Sequence, residues 1–255
     1  MNPQLPENMG TLAASIVFAS IFFFGAKLRL PVEGEKYYRR VLSFAAGVSI
    51  AYVFVDLLPQ LQNATEVFVS KTGHLLLPFP SYRVYLSAML GFVASFGLEN
   101  MLKWSKEPSE RTTDENDTGK EKLGLIIHLG GFSVYVWLIN YLMADNIEGK
   151  EFSIPLYAVA MGLHFLTIEY SLRREYGPLF NRSSKNVLAI ACLLGWIMGT
   201  FFKLPPTVVI TLLGIISGSV VMNSTIAELP KEKEGRFLAF LIGAVFYASI
   251  LLMVE

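Results

Sequence analysis

The sequence predicts an all-α, polytopic membrane protein of eight transmembrane helices, with residues 1–255 forming a single transmembrane domain. Three observations lead there. The chain is 53% hydrophobic and only 16% charged, with a mean hydropathy of +0.48; soluble domains run nearer a quarter charged. Apolar runs of roughly 20 residues, the length that crosses about 30 Å of hydrocarbon, recur along the chain. Lys and Arg crowd into alternate connections, with five, five, four and three in one set, two, one and one in the other, and none at the termini. By the positive-inside rule both termini lie outside the cytoplasm, and the membrane is a plasma or inner membrane.

Taken in order, the expected spans are Thr11–Leu30, Val41–Leu61, Tyr82–Trp104, Leu123–Ala144, Ser153–Leu172, Val187–Leu204, Thr207–Leu229 and Phe237–Val254. Span 1 follows MNPQLPENMG, which has no Lys or Arg; it is too long and wrongly flanked for a cleaved signal peptide. Span 2 carries Asp56 just before Pro59. The connection Gln62–Pro80 holds His74 and Asn63-Ala64-Thr65, a glycosylation acceptor only in a eukaryotic secretory setting. Ser105–Lys122 is polar and free of aromatic residues, and is expected to remain a flexible cytoplasmic loop. Span 6 is the shortest, its end set by Leu204-Pro205-Pro206, where proline removes backbone donors.

Several function classes fall away early. Lys+Arg and Asp+Glu balance at 21 each, so no charge excess points to nucleic acid, and none is expected as a partner. Cys192 is the only cysteine, which rules out an intramolecular disulfide and a cysteine-based zinc cluster. Gly195-x-x-x-Gly199 and Gly214-x-x-x-Gly218 allow close helix approach. Packing within one subunit is the first expectation for them, a homodimer contact the second.

Ionisable groups inside a bilayer cost a few kcal/mol or more, so each calls for a reason. On span 2, Ser49, Tyr52, Asp56 and Gln60 fall on one helical face and form a polar stripe. Span 7 carries Asn223 near mid-depth and Glu228 towards its end. Glu99 is followed four positions on by Lys103, a spacing for an ion pair. His128 and His164 are the two intramembrane histidines, and neutral imidazole is a common metal ligand. Glu169 follows His164 by five residues, about 140° around an ideal helix, so the two do not point the same way.

An internal repeat underlies these positions. Gly47 precedes Pro59 by twelve residues and Gly218 precedes Pro230 by twelve, with an acid just upstream of each proline. Four spans lie between the two copies, so they run in opposite directions. Inverted repeats of this kind build many alternating-access carriers, with the site near mid-membrane.

The pattern resembles the ZIP family of divalent-metal transporters, as a divergent member. The resemblance spans the chain and rests on Asp56-Leu-Leu-Pro59-Gln60, on Ala227-Glu228-Leu-Pro230, and on Phe96-Gly-Leu-Glu99 at the end of span 3. It implies a 3+2+3 inverted-repeat bundle in which spans 4 and 5 carry the metal. His128 and His164 match the family's ligand positions, and Glu169 is a displaced substitute. The carboxylate expected four residues after His128 is replaced by Phe132, and the residue four after His164 is Ile168. The resemblance therefore implies metal ligands His128, His164 and Glu169, with Asp56, Gln60, Asn223 and Glu228 lining the pathway. The expected function is transport of a divalent, zinc-like cation as substrate, with no resident cofactor and the lipid bilayer as surroundings. A non-transporting relative acting as sensor, partner subunit or scaffold is the alternative. An enzyme is not expected, since an intramembrane metal hydrolase generally needs three protein ligands and an open position for water.

Overall fold

The structure, a computed structural model, describes residues 4–25, 35–63, 66, 82–106, 114–145, 154–225 and 237–254. Among these, eight long helices follow one another and no strand occurs. They are α1 (Gln4–Phe24), α2 (Glu35–Tyr52), α3 (Arg83–Lys106), α4 (Asp114–Asp145), α5 (Ile154–Tyr176), α6 (Arg182–Phe201), α7 (Pro206–Asn223) and α8 (Phe237–Val254). Each expected span overlaps one of them, and α8 has the expected bounds.

The boundaries differ elsewhere for identifiable reasons. α1 starts earlier than the expected Thr11, because Pro6 is tolerated in a first helical turn and the polar residues around it join the helix; the expected end at Leu30 lies outside the described residues. α4 begins at Asp114, inside the stretch expected to be a flexible loop. Asp114, Glu115 and Asp117 sit at the positive end of its dipole, which favours helix over coil there. α6 ends at Phe201, before the expected Leu204, and Pro206 opens α7 at the position where a missing N–H costs nothing. α2 does not end at Tyr52. It continues through a π-helical turn, Val53–Leu57, and on to residue 63, with the Leu58 N–H reaching back to the Val53 carbonyl. α7 likewise changes to π winding at Ser224 and Thr225, where its described residues stop.

The tightest connection joins α5 to α6. A short 3₁₀ turn, Gly177–Leu179, reverses the chain, with Gly177 at φ 50, a conformation that glycine alone adopts without penalty. Asn181 then caps α6, its side-chain oxygen accepting from the Ser183 and Ser184 amides at 2.9 and 3.2 Å.

α3 packs most extensively on α7, α4 on α6, and α2 on α8; α1 lies against α6 and α5, α2 also touches α5, and α3 touches α4. Glycines decide the three closest seams. A Cβ on Gly47 would run into the Phe240 carbonyl of α8, and one on Gly243 into the Phe44 carbonyl of α2. Gly218 faces the Ala88 carbonyl of α3, and Gly91 the Ile215 carbonyl of α7. Gly195 and Gly199 do the same against the Trp137 and Tyr141 carbonyls of α4. The glycine pairs singled out in the sequence thus serve packing within the chain, as first expected.

α2, α3, α4, α6 and α7 are each long and apolar enough to cross a bilayer, and the apolar parts of α1 and α8 are shorter. α5 carries Glu169, Arg173, Arg174 and Glu175 in its second half. Large apolar side chains such as Tyr85, Met89, Leu90, Val93, Phe237, Leu241 and Phe246 face outward. Only hydrocarbon can cover so much apolar surface on so many helices. The chain has the architecture of a multi-pass helical membrane protein.

Candidate functional site

Among the buried polar side chains, one set lies at three levels along α2, α4, α5 and α8. At the Pro59 end, Asp56 sits in the π turn and accepts a hydrogen bond from the Gln60 amide at 2.7 Å. Its carboxylate acts electrostatically on the phenols of Tyr52, Tyr157 and Tyr247, which come from α2, α5 and α8. These three tyrosines are buried, while Asp56 and Gln60 are half-exposed at the edge. The Tyr247 hydroxyl donates to the Leu156 carbonyl at 2.8 Å, and the Tyr52 and Tyr157 rings meet edge to face at 6.0 Å. The sequence-predicted stripe on α2 is therefore real. Ser49 and Tyr52 are buried, Asp56 and Gln60 half-buried, in line along the helix.

At mid-depth His164 is completely buried, with Nε2 2.8 Å from the Tyr135 hydroxyl. The contact joins α5 to α4. At the far end His128 is also buried, its Nδ1 3.1 Å from the Tyr176 hydroxyl. Glu99 from α3 lies 3.8 Å from its Nε2, and Glu175 from α5 lies 3.9 Å from its Nδ1. Glu99 was expected beside Lys103, whose side chain lies outside the described residues; its described neighbour is His128. The Phe132 ring lies 4.9 Å from His128 and 6.3 Å from Tyr135, filling the interval between the two histidines.

The structure does not bring the two histidines together. On α4 their attachment points, His128 and Tyr135, are seven residues apart, about 10 Å of helix axis; on α5, Tyr176 and His164 are twelve apart, about 18 Å. Glu169 joins neither. It is fully buried and held by Arg173 on its own helix and Lys185 on α6, each at 3.5 Å, with Gly25 packed against its carboxyl. Its five-residue offset from His164 turns it towards α1 and α6, as the helical phase requires. Among the described residues no three His, Cys, Asp or Glu side chains converge as a metal-binding group.

Asn223 closes α7 half-buried, one residue before the buried Ser224, whose hydroxyl has no hydrogen-bond partner among the described residues. Glu228 and His74 lie outside the described residues.

Sequence reasoning singled out Tyr52 but missed the other tyrosines. A histidine at mid-membrane demands a partner, and Tyr135 stands seven positions after His128, on the same face of α4. That spacing was the available signal. Tyr157 and Tyr247 gave none, since only the packing of α5 and α8 on α2 gathers them around Asp56.

No family model and no curated protein matches this chain.

Proposed function

We propose that the protein is a membrane carrier for a divalent metal cation, built as ZIP transporters are: α1–α3 and α6–α8 as inverted repeats around the central helices α4 and α5. One observation carries the reading. Exchanging α1 with α6, α2 with α7, α3 with α8 and α4 with α5 turns the α2–α8 packing into the α7–α3 packing, and α1–α5 into α6–α4. The exchange holds at single-residue register. Gly47 meets the carbonyl three residues before Gly243, and Gly218 the carbonyl three residues before Gly91. Gly243 and Gly91 return the contact to carbonyls three residues before Gly47 and Gly218. The π winding begins six residues after the glycine in both α2 and α7. Two unrelated helix pairs would have no reason to share that register; two copies of one unit, facing opposite ways, would.

The route runs beside α2, α5 and α7, past Asp56 and Gln60, then His164, then Asn223. Single imidazoles at separate depths, each with oxygen neighbours, favour stepwise passage over a chelate shared by both histidines. Alternation of Lys and Arg supports both termini outside the cytoplasm. A homodimer would need a surface other than the glycine seams, and the exposed apolar faces of α3 and α8 are on offer.

The deciding experiment is uptake by reconstituted vesicles across a panel of divalent metals, paired with metal-dependent melting of the purified protein. At least one metal should be taken up, and the double variant Asp56→Asn with His164→Ala should abolish that uptake. Unchanged uptake in the double variant rejects the route.

A second reading, a non-transporting relative, is favoured by Glu169. Two cations occupy it, which leaves His164 without the acid that would complete a metal pair. Absence of any metal effect on melting, together with absence of uptake, would select this reading.

A further inference from the structure

We propose that Glu99 and His128 form a latch that holds α3 on the central helix pair and closes the cytoplasmic end of the route. The closing rests on the carrier reading; the latch between α3 and α4 does not.

The catch is set by α5. The Tyr176 hydroxyl stands 3.1 Å from His128 Nδ1, and the Phe132 ring lies 4.9 Å from the imidazole on the same helix. Between them they orient the ring, and Nε2 faces α3, where a Glu99 oxygen stands 3.8 Å away. When Nδ1 accepts from the hydroxyl, Nε2 carries the proton and turns it towards that carboxylate, so the attraction needs no charge on the ring. Glu175 lies on the Nδ1 side, at 3.9 Å. α3 thus reaches the imidazole through Glu99, and α5 through Tyr176 and Glu175.

Beside this contact the helix surface has been cleared. A Cβ on Gly131 would collide with a Leu98 methyl and would stand 3.6 Å from Leu98 Cγ. Leu98 therefore enters the gap that glycine leaves on α4. Leu98 and Glu99 are neighbours on α3, while His128 and Gly131 are three residues apart, about one turn, on α4. An apolar key and a polar contact close together on one turn of helix.

The repeat exchange makes this closure one-sided. It pairs α3–α4 with α8–α5, and α2–α5 with α7–α4. Among the described residues the first member of each pair is packed more extensively than the second, whereas the glycine seams match in register. The two halves differ in how they meet the central pair and agree in how they meet each other. Like units held in unlike positions are one state of an alternating carrier, and the other state has the positions exchanged. In that state α3 stands off α4. The latch also has no twin: Glu99 follows Gly91 by eight residues, and eight residues after Gly243 stands Leu251. An acid at one end and a leucine at the other bias the resting protein towards closure at Glu99. Alternation of Lys and Arg sets that end in the cytoplasm.

The test uses the full chain in vesicles, carrying Cys192→Ala, Leu98→Cys and Gly131→Cys. The Leu98–Gly131 approach puts the two new sulfurs within bonding reach. Oxidation by diamide should join α3 to α4 and stop uptake of whichever divalent metal the unoxidised protein takes up, and dithiothreitol should restore it. Adding Glu99→Gln should slow the cross-linking at least about threefold, as loss of a partly exposed ionic contact would. Cross-linking that is not slowed overturns the latch, and uptake that continues after complete cross-linking overturns the closure. If the cysteine variants do not fold, the chain carrying Glu99→Gln alone is compared with the unsubstituted protein by hydrogen exchange in detergent. Amides of α3 around Leu98 should then exchange at least about threefold faster, and equal exchange overturns the proposal. Slowed cross-linking in a protein that takes up no metal keeps the latch and rejects the carrier.

Discussion

Where α2 meets α8 and α3 meets α7, glycines let two backbones touch; where α4 faces α5, rings hold them apart. In the seams, Gly47, Gly243, Gly91 and Gly218 stand against main-chain carbonyls, so nothing larger than hydrogen fits. Between α4 and α5, Tyr135, His164, Phe132, His128 and Tyr176 fill the space side chain to side chain. In lipid no hydrophobic force draws helices together, so close approach and interhelical hydrogen bonds must do it. The seams use the first means and the centre uses the second. A glycine seam has one geometry, whereas hydrogen-bonded rings can exchange partners. The difference assigns rigidity to the glycine seams and adaptability to the middle.

The sharpest way to break the centre is to strip its buried acid. Arg173→Met with Lys185→Met leaves Glu169 fully buried and unpaired, which should cost about 3–5 kcal/mol. Melting in detergent should fall accordingly, and Glu169→Gln added to the pair should recover much of the loss.

The seams should break next. Gly218→Val drives a side chain into the Ala88 carbonyl, and Gly47→Val does the same at Phe240. Each should cost about 1–3 kcal/mol, and near-equal losses would sharpen the repeat reading. A loss at only one of the two would count against it.

A smaller effect is expected from the ring column. Tyr135→Phe leaves the buried His164 nitrogen without its hydroxyl, at about 1–2 kcal/mol. Tyr135→Phe with His164→Phe should cost less than the two single changes added together, and a double-mutant cycle measures that coupling. Smallest of all is Lys203→Ala. Its 2.9 Å bridge to Asp145 lies at an exposed helix end and should be worth about 0–1 kcal/mol.

Much of the fold was legible because membrane helices announce themselves by length and composition. Eight apolar runs became eight helices, and the stripe from Ser49 to Gln60 kept its face. The start of α4 was not legible, since a polar run reads as coil until the dipole of the helix behind it is considered. Nor was the fate of Glu169. Its phase showed that it turned away from His164, but not that Lys185, sixteen residues on, would meet it across the α5–α6 turn.

The sequence by itself determined how many long helices form among the described residues and where the two glycine-to-proline stretches lie. Those are local properties, written in hydropathy, charge and spacing along one chain. Only the tertiary structure decided that the histidines stand on different levels and that tyrosines from three helices gather around Asp56. Such encounters depend on how each helix is rotated and shifted against its neighbours, and that is fixed by the summed fit of many side chains rather than by any one stretch.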